Sequence, residues 1–406
     1  MYCYSRLLSN AMRRIVVIHH SGIIGGAGVS LMNTVRILSK SNDVTVFISN
    51  DPQDMLHELE AIQKDFRFEI ASYGHRIGAL TYYSGGDRLF SARFLYRAFL
   101  ILCQWRYWNR LLRKLDPDIV IVNSMILSWM GLIPEIKKRR SICFVRETIN
   151  GKLQKRINQI IRNLLLHFNK VVFLSEYDQS SWDFPKANSL VIRNFIEPDV
   201  LNTTISRDVA SSNFGLRRES FHLLYVGGVS YMKGFDLVVK ATLECDSDAE
   251  LLIAGVDFND RRKLSGGRLS QYETQIFEYI RQNDKLHRVH FVGRQMNMSL
   301  CYSSADVLVF PMRSPHQARP VFEAGWYSIP VIITDFENIR EDVQDGDNGL
   351  LTHPDSIVSL VESIDYLNSH PIERKILGNN NNRRTHANHS KEKNNQQILN
   401  LIERLR

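Results

Sequence analysis

The chain has 406 residues, of which 44% are hydrophobic and 23% are charged, the composition of an ordinary globular protein. A single hydrophobic core stops growing at roughly 250–300 residues, so this length predicts two domains. No apolar run reaches the ~18 residues of a membrane-spanning helix, so none is predicted. The five cysteines are widely spaced without a Cys-x-x-Cys pair, which argues against structural zinc and for a reducing compartment.

The positive charge is concentrated in the first half of the chain. Residues 1–200 contain 27 Lys and Arg against 17 Asp and Glu, whereas the remaining residues contain 24 against 26. Because only the first half carries a basic excess, an anionic partner is predicted for that half.

Residues 1–11 lack the apolar region of a signal peptide, so none is expected there, and Met12 is a candidate natural start. This segment is left out of the fold prediction. From Arg14 onward, apolar strands alternate with helical patterns, the first helix being predicted over 30–39. The strands of this first series are predicted at 14–20, 43–49, 66–72, 118–124, 141–147 and 170–175. The alternation predicts a doubly wound parallel sheet.

A second series of strands follows a segment that loses hydrophobic periodicity. Its strands are predicted at 222–228, 250–255, 287–293, 306–311, 330–335 and 349–353. We therefore predict a first domain over 12–200, a linker over 201–219, a second domain over 220–380 and a tail with a helix over 381–406. The Asn- and Lys-rich stretch 379–395 is predicted to be partly flexible. The last residues form an amphipathic helix, which is expected to pack back on the first domain.

One acidic residue stands out between two strands of the second series. Pro320 is predicted to open a helix after the strand 306–311, which places Glu323 in the first helical turn, at the carboxyl end of that strand. Open α/β sheets bind ligands at this edge, and the helix N-terminus favours an ionised carboxylate. Two carboxylate oxygens suit a vicinal diol, such as the ribose of a nucleotide. The alternative is a solvated glutamate on a helix.

A lysine follows the first strand of the second series. Lys233 precedes Gly234 and comes after a loop that contains Gly227 and Gly228. A flexible ammonium at this position can reach a diphosphate as a point charge. The alternative is a solvated loop lysine.

The first strand of the chain leads into a glycine-rich helix entrance formed by Gly25, Gly26 and Gly28. Backbone amides at such an entrance suit a phosphate or an acceptor oxygen. The alternative is a tight turn with close helix–strand packing, because the spacing is not a strict dinucleotide fingerprint.

Aromatic and basic residues interleave over residues 89–115, and further basic residues follow over 137–170. Helices that lie at a membrane interface combine Trp and Phe with Arg and Lys in this way, so an anionic membrane surface is one predicted partner. A core helix with snorkelling arginines is an equal alternative. Nucleic acid is disfavoured, because no recognised nucleic-acid motif accompanies the charge.

The second half resembles the GT-B glycosyltransferases, specifically the sugar-nucleotide-dependent enzymes of family 4. The resemblance rests on the segments VGGVSYMKG, HFVG, LCYSSADVLVFP, RPVFEAGWYSIPVIITD and DNGLL, with NSLVIRNFIEP at the end of the first domain. It implies two Rossmann-like domains that face a cleft, with Glu323 binding ribose, Lys233 stabilising the leaving diphosphate and Arg294 contacting the base. It also implies retention of anomeric configuration. No cofactor or metal is expected, because Lys233 supplies the cation and no Asp-x-Asp motif stands among the predicted donor residues.

The chain also departs from the family pattern. Gly228 stands where members commonly have arginine, and Pro315 stands where the first signature glutamate would contact the donor sugar. Gln317 or Arg319 is the predicted substitute for that glutamate, with Arg319 also serving as a second phosphate cation. Asn123 occupies the place of an expected histidine in the first half and is assigned a catalytic role. Arg146 and Glu147 lie on the next predicted strand.

The resemblance therefore predicts a cytoplasmic glycosyltransferase, peripheral at the inner face of the membrane, that acts in surface polysaccharide biosynthesis. It would move a sugar from a nucleotide diphosphate, such as UDP or GDP, to a glycan or a lipid-linked glycan. Two alternatives stay open. One is a sugar-nucleotide epimerase on the same scaffold, which would need an acid/base pair in the cleft. The other is a non-catalytic partner subunit, suggested by Gly228 and Pro315.

Overall fold

The computed structural model describes residues 12–49, 53–73, 77–78, 92–149, 155–198, 201, 204–264, 266–295 and 297–405. Residues 1–11, for which no signal peptide is expected, lie outside this range. The chain forms two compact units. Unit 1 comprises Met1–Ile192 and Asn395–Arg406, and unit 2 comprises Arg193–Asn394.

Unit 1 is built on a seven-stranded parallel sheet in the order β3-β2-β1-β4-β5-β6-β7. The strands are β1 Arg14–Ile18, β2 Asp43–Ser49, β3 Glu69–Tyr73, β4 Ile119–Val122, β5 Arg140–Phe144, β6 Lys170–Phe173 and β7 Ser189–Val191. Most are runs of β-branched residues that are buried on both faces, as a helix-covered parallel sheet requires. All six predicted strands are present, whereas β7 is too short at three residues to give a periodic signal.

The helices of unit 1 are α1 Gly26–Leu38, α2 Asp54–Gln63, α3 Ala92–Leu115, α4 Pro134–Lys138, α5 Arg156–Leu165 and α6 Glu176–Ser181. A 3-10 helix, Met125–Leu132, leads from β4 towards α4. The strand order reverses between β1 and β4, so the carboxyl ends of these two strands flank a topological switch point. Throughout the described part of the chain, no helix combines the length and the apolar character needed to cross a membrane.

Unit 2 repeats the architecture with a six-stranded parallel sheet in the order β10-β9-β8-β11-β12-β13. The strands are β8 Phe221–Val226, β9 Ala249–Ala254, β10 Val289–Gly293, β11 Val307–Phe310, β12 Val331–Thr334 and β13 Gly349–Thr352. Here the order reverses between β8 and β11. All six strands of the second series are confirmed, and with them the prediction of two Rossmann-like domains.

The helices of unit 2 are α7 Arg207–Asn213, α8 Phe235–Glu244, α9 Phe258–Leu264, α10 Gln271–Arg281, α11 Ser299–Ser304, α12 Arg319–Trp326, α13 Ile357–Ser369 and α14 Pro371–His389. Helix α7 lies inside the segment 201–219 predicted as a linker, and the structure makes it part of unit 2. Ser206 caps this helix by accepting from the Val209 amide, and Arg207 binds Asp306 at 2.8 Å. The polar composition that suggested a linker thus belongs to a capped surface helix.

The Asn-rich stretch 379–395, predicted to be partly flexible, is helical except for a break at Ser390. The prediction failed because these asparagines have structural partners. Asn381 donates to the Ile329 carbonyl at 2.8 Å, and Asn382 donates to the Gly325 carbonyl at 2.9 Å. They bind one carbonyl in the last turn of α12 and one in the segment between α12 and β12.

The last helix, α15 Lys391–Arg404, runs from unit 2 into unit 1. Its C-terminal part belongs to unit 1, where the Arg13 guanidinium donates to the Ile402 carbonyl. This confirms that the C-terminal helix packs back on the first domain.

The two ends of unit 2 are bonded to each other. The His389 ring contacts the Asn194 carbonyl at 2.6 Å, the Ile196 amide donates to the His389 carbonyl, and Lys391 pairs with Glu197 at 2.7 Å. The segments that enter and leave unit 2 therefore form one clasp within that unit.

Candidate active site

The loop after β8 begins with two glycines at the switch point of unit 2. Both the Gly227 and Gly228 amides donate to the Ala254 carbonyl, at 2.9 and 3.1 Å. Gly228 has a φ of +62°, and a Cβ built on it would lie 2.5 Å from the backbone nitrogen and oxygen of Val256. This backbone cannot hold the arginine that stands here in the resembling family, and the Gly227 and Gly228 amides are already bonded to Ala254.

Lys233 ends a 3-10 turn, Tyr231–Lys233, that returns the chain to the switch point. The next residue, Gly234, has a φ of +70°, and its Cβ would lie 1.8 Å from the Pro311 carbonyl oxygen, so only glycine fits there. The Lys233 stem passes over Gly227, with Cδ 2.8 Å from a Cβ built on that glycine. Burial lowers the pKa of the Lys233 ammonium. Within the described residues this ammonium forms neither an ion pair nor a hydrogen bond.

Arg313, which the sequence analysis missed, fixes the turn that carries Lys233. Its guanidinium binds both carboxylate oxygens of Asp236, at 2.6 and 2.7 Å, and the Tyr231 carbonyl at 2.9 Å. Its backbone amide donates to the Met232 carbonyl at 2.9 Å. Burial alone would raise the pKa of Asp236, but the hydrogen bonds and charge of Arg313 hold it below its usual range. Arg313 could have been found from the sequence as an arginine three residues after β11, at the switch point.

Glu323 is the fifth residue of α12, so the prediction that it lies in the first helical turn is wrong. The helix starts at Arg319, one residue before Pro320, and this shift moves Glu323 beyond the positions that the helix N-terminus favours most. One carboxylate oxygen accepts from Tyr302 Oη at 2.7 Å, and the other accepts from Arg319 Nε at 2.6 Å. Each oxygen retains a second acceptor site, so the carboxylate can still accept from two hydroxyl groups.

The other predicted donor residues are scattered along the same edge of the sheet. Arg319 is ion-paired to Glu323, so its charge is already balanced within α12. Gln317 is half-buried in the loop between β11 and α12, as is Pro315. It follows His316, whose pKa burial lowers to about 4, with the Lys233 charge nearby adding to the effect. Arg294 is exposed just after β10, an edge strand two places from β8.

The three glycines at the start of α1 have two different roles. Gly25 caps α1, and neither Gly25 nor Gly26 has a heavy atom within 4 Å of a Cβ built on it. At Gly28, by contrast, a Cβ would meet the Met55 methyl group of α2 at 2.2 Å. Gly28 therefore supports the packing interpretation, whereas the backbone around Gly25 and Gly26 is open to a ligand.

Asn123 is fully buried after β4, and its carboxamide is occupied within unit 1. The nitrogen lies 3.1 Å from His19 Nδ1 and donates to the Ala27 carbonyl, while the oxygen accepts two bonds from Arg146 at 3.0 and 3.1 Å. These contacts make Asn123 a support for Arg146 and His19. The predicted catalytic role would require substrate contact, and this geometry gives no support to it.

Two histidines at the end of β1 were also missed, although the pair His19-His20 stands at the switch point in the sequence. Burial lowers the pKa of His19 well below its usual range, and the charges of His20 and Arg146 lower it further. Burial lowers the pKa of His20 to about 4. Neighbouring Glu147 accepts from the Ser124 hydroxyl and the Met125 amide, and burial raises its pKa. The cluster combines neutral imidazoles with one arginine.

Three Asp-x-Asp triplets occur in the chain, at 116–118, 246–248 and 345–347. Their aspartates have protein partners: Asp116 pairs with Arg14 and Arg139, and Asp248 pairs with Arg217. Among the residues that the structure describes, no group of three or more His, Cys, Asp or Glu side chains is placed to hold a metal ion. The triplets act as ion-pair partners in the folded chain.

Comparison with known proteins matches both halves of the chain to transferases. The family described as Glycosyltransferase Family 4 matches residues 24–200, and the family described as Glycosyl transferases group 1 matches residues 206–384. The D-inositol 3-phosphate glycosyltransferase of Paenarthrobacter aurescens is 27% identical over 158 residues, 37% of this chain, which spans only 36% of that relative's length.

A second curated relative matches over more of its length. It is the UDP-N-acetylglucosamine–N-acetylmuramyl-(pentapeptide) pyrophosphoryl-undecaprenol N-acetylglucosamine transferase of Christiangramia forsetii, 22% identical over 299 residues and 72% of each chain. Among solved structures, Anabaena HepE in complex with UDP-glucose superposes with a TM-score of 0.75 at 16% identity, covering 96% of this chain and 99% of that one. The two family matches and the shared fold agree, and the chain belongs to the GT-B glycosyltransferases, with a family 4 first half and a group 1 second half.

Proposed function

We propose that this glycosyltransferase moves a sugar from a nucleotide-diphosphate sugar to a glycan or a lipid-linked glycan in surface polysaccharide biosynthesis. In the reaction the bond from the anomeric carbon to the diphosphate oxygen breaks, and its electron pair leaves with the diphosphate. An acceptor hydroxyl oxygen bonds to that carbon and gives its proton to the departing diphosphate. The developing negative charge on the diphosphate must be neutralised by a positioned cation. Retention of configuration is part of the proposal and follows from family membership alone.

The observation that carries the proposal is the state of Lys233. Its half-buried ammonium has no partner among the described residues, and it stands at the switch-point edge on a turn that Arg313 holds. A partly desolvated cation interacts more strongly with a diphosphate than a solvated one, because the local dielectric is lower. With Gly228 unable to carry an arginine, we assign Lys233 as the main cation for the leaving group, and no metal is invoked.

Glu323 is the proposed ribose ligand. The Arg319 and Tyr302 bonds hold its carboxylate in one orientation on α12 and leave an acceptor site on each oxygen. We propose Gln317 and the loop at Gly228 as further donor contacts, with Arg294 towards the base and Arg319 acting through Glu323. In unit 1, Gly25, Gly26 and Arg146 are the proposed acceptor side.

The nature of the acceptor rests on comparison. The relative from Christiangramia forsetii is named for transfer to a pyrophosphoryl-undecaprenol acceptor, and HepE was solved with UDP-glucose. These names support a lipid-linked acceptor and a UDP-sugar donor for this chain. A cytoplasmic enzyme, peripheral at the inner face of the membrane, is the location we propose.

Isothermal titration with a panel of UDP- and GDP-sugars tests the donor assignment. We expect one of them to bind, and Glu323→Gln to weaken that binding by about 1.5–3 kcal/mol, roughly 10–150-fold, the value of hydrogen bonds to a charged group. Glu278→Gln is the matched control, because Glu278 is exposed on α10 and pairs only with Arg281 among its described contacts. Equal affinities of the wild type and Glu323→Gln would refute the ribose assignment, and failure of every nucleotide sugar to bind would favour the partner-subunit alternative.

A further inference from the structure

Helix α3 has a buried side that belongs to the core of unit 1. Trp108 is 1% exposed and makes edge-on ring contacts with Phe47 and Tyr73 at 5.4 and 5.7 Å, and Leu112 is buried beside it. The core-helix interpretation of this segment is therefore correct for one side of the helix. Because Trp108 is buried in this core, it is not exposed for binding to a membrane or a partner.

The opposite side of α3 exposes large apolar side chains in its first half. Leu102 is 71% exposed and Phe99 is 60% exposed, and Leu95 and Tyr96 are exposed with them. Their spacing of three and four residues places them on one face of the helix. A continuous exposed apolar stripe of this kind marks an interaction surface, because single exposed apolar residues are ordinary but contiguous ones are not.

The same face becomes basic towards the end of the helix. Arg106, Arg110, Arg113 and Lys114 are exposed, and the 24 residues of α3 contain no Asp or Glu. Helix α4 lies against this end and adds exposed Lys137 and Lys138. Its acid, Glu135, is buried and already paired with Arg113, Arg139 and Lys138. The face is thus apolar at one end and positively charged at the other.

We propose that this α3 face docks on an anionic lipid bilayer, with Leu95, Tyr96, Phe99 and Leu102 entering the acyl boundary and the arginines contacting lipid headgroups. The sign of the charge is the deciding observation: a protein partner requires complementary charges at chosen points, whereas a row of cations whose neighbouring acid, Glu135, is buried fits a uniformly negative surface. This surface is smaller than the membrane segment predicted from the sequence, because Trp108 is buried and is not part of it. Residues 89–91 and 150–154 of the predicted membrane segments lie outside the described residues.

Sedimentation of the full-length chain with vesicles tests the docking. Vesicles of phosphatidylcholine with phosphatidylglycerol should bind the protein, and vesicles of phosphatidylcholine alone should bind it far less. Two changes together, Arg106→Gln and Arg110→Gln, should reduce partitioning about thirtyfold, since each basic residue near the surface contributes about fivefold. Raising salt should act in the same direction, because the Debye length falls from about 10 Å at 0.1 M to about 3 Å at 1 M.

A second pair, Phe99→Glu with Leu102→Glu, should reduce partitioning at least about tenfold, the effect of withdrawing one large apolar side chain from lipid. Ile372→Glu is the matched control, because Ile372 is 78% exposed on α14 in unit 2 and its change should leave vesicle binding unaltered. Thermal unfolding and donor titration of each variant establish that it is folded, so failure of donor binding and failure of membrane binding are separable.

Four results would overturn the proposal. The first is a wild-type chain that binds neither vesicle, and the second is binding that salt and both pairs of changes leave intact. The third is sedimentation velocity showing a wild-type dimer that Phe99→Glu with Leu102→Glu dissociates, because a second copy would then cover the face. Preferential binding of a single-stranded nucleic acid over anionic vesicles would also count against a lipid surface.

Discussion

Replacing Gly228 tests why this chain lacks the family arginine. The change Gly228→Ala adds only a Cβ, yet it meets two separate costs. The φ of +62° is unfavourable for any residue with a Cβ, by about 1–2 kcal/mol. The new atom would also lie 2.5 Å from the Val256 backbone, which cannot rotate away as a side chain can. Overpacking of this kind costs about 1–3 kcal/mol, so the expected total loss is about 2–5 kcal/mol.

Gly215→Ala separates the two costs. Gly215 has a φ of +68°, but no heavy atom lies within 4 Å of a Cβ built there, so only the conformational cost applies. Scanning calorimetry and urea unfolding of both variants give the comparison. For a unit of this size each kcal/mol corresponds to about 2–4 °C in Tm, so Gly228→Ala should melt clearly below Gly215→Ala.

Equal losses in the two alanine variants would refute the steric reasoning, because the Val256 contact would then contribute nothing. Gly228→Arg tests the effect of the family arginine on donor binding. We expect it to be at least as destabilised as Gly228→Ala and to bind donor no better than the wild type. A stable Gly228→Arg protein with tighter donor binding would show that the loop accepts the family cation after all.

Two further predictions concern buried titratable groups. Lys233→Met should lower turnover by about 10²–10³-fold, the usual effect of removing one charge-stabilising group, while leaving stability unchanged or higher, because the ammonium is half-buried without a partner. Since burial lowers the pKa of Lys233, wild-type turnover should fall on the alkaline side below pH ~10.4, and the free energy of unfolding should rise over the same range because the unfolded chain binds more protons. For His20, whose pKa burial lowers to about 4, the unfolded state takes up the proton first as the pH falls below ~6.5. His20 should therefore account for about 3 kcal/mol of the stability that urea unfolding shows to be lost between pH 7 and pH 4, and His20→Gln should remove that part of the loss. An identical pH profile for the two proteins would contradict the assigned burial.

The fold was predictable because the strands of a buried parallel sheet appear in the sequence as apolar runs. The strands of both sheets could be read this way, apart from the three residues of β7. The last helix was read from its amphipathic pattern, whereas 379–395 was misread because asparagine is typical of flexible chain. There Asn381 and Asn382 instead bind backbone carbonyls that only the folded protein presents.

The candidate site was less predictable, because roles depend on partners distant in sequence. Lys233 was identified from its loop, but the Arg313 side chain that fixes its turn is contributed by the loop after β11. Asn123 was assigned to chemistry because nothing in the sequence shows that Arg146 and His19 occupy its carboxamide. The position of Glu323 was misjudged because a shift of one residue in a helix start changes the turn on which a side chain lies.

The clasp between the entering and leaving segments of unit 2 bears on how enzymes of this kind diversify. Because Asn194 and His389 are in contact, the whole of Arg193–Asn394 begins and ends at a single place in the fold. The segment is continuous in sequence, and its two joints lie side by side. Exchange of this one segment would therefore replace the proposed donor-binding unit while unit 1 keeps its proposed acceptor side and its closing C-terminal helix. Under the proposed function, the two specificities are separately exchangeable because the chain returns to unit 1 only after unit 2 is complete.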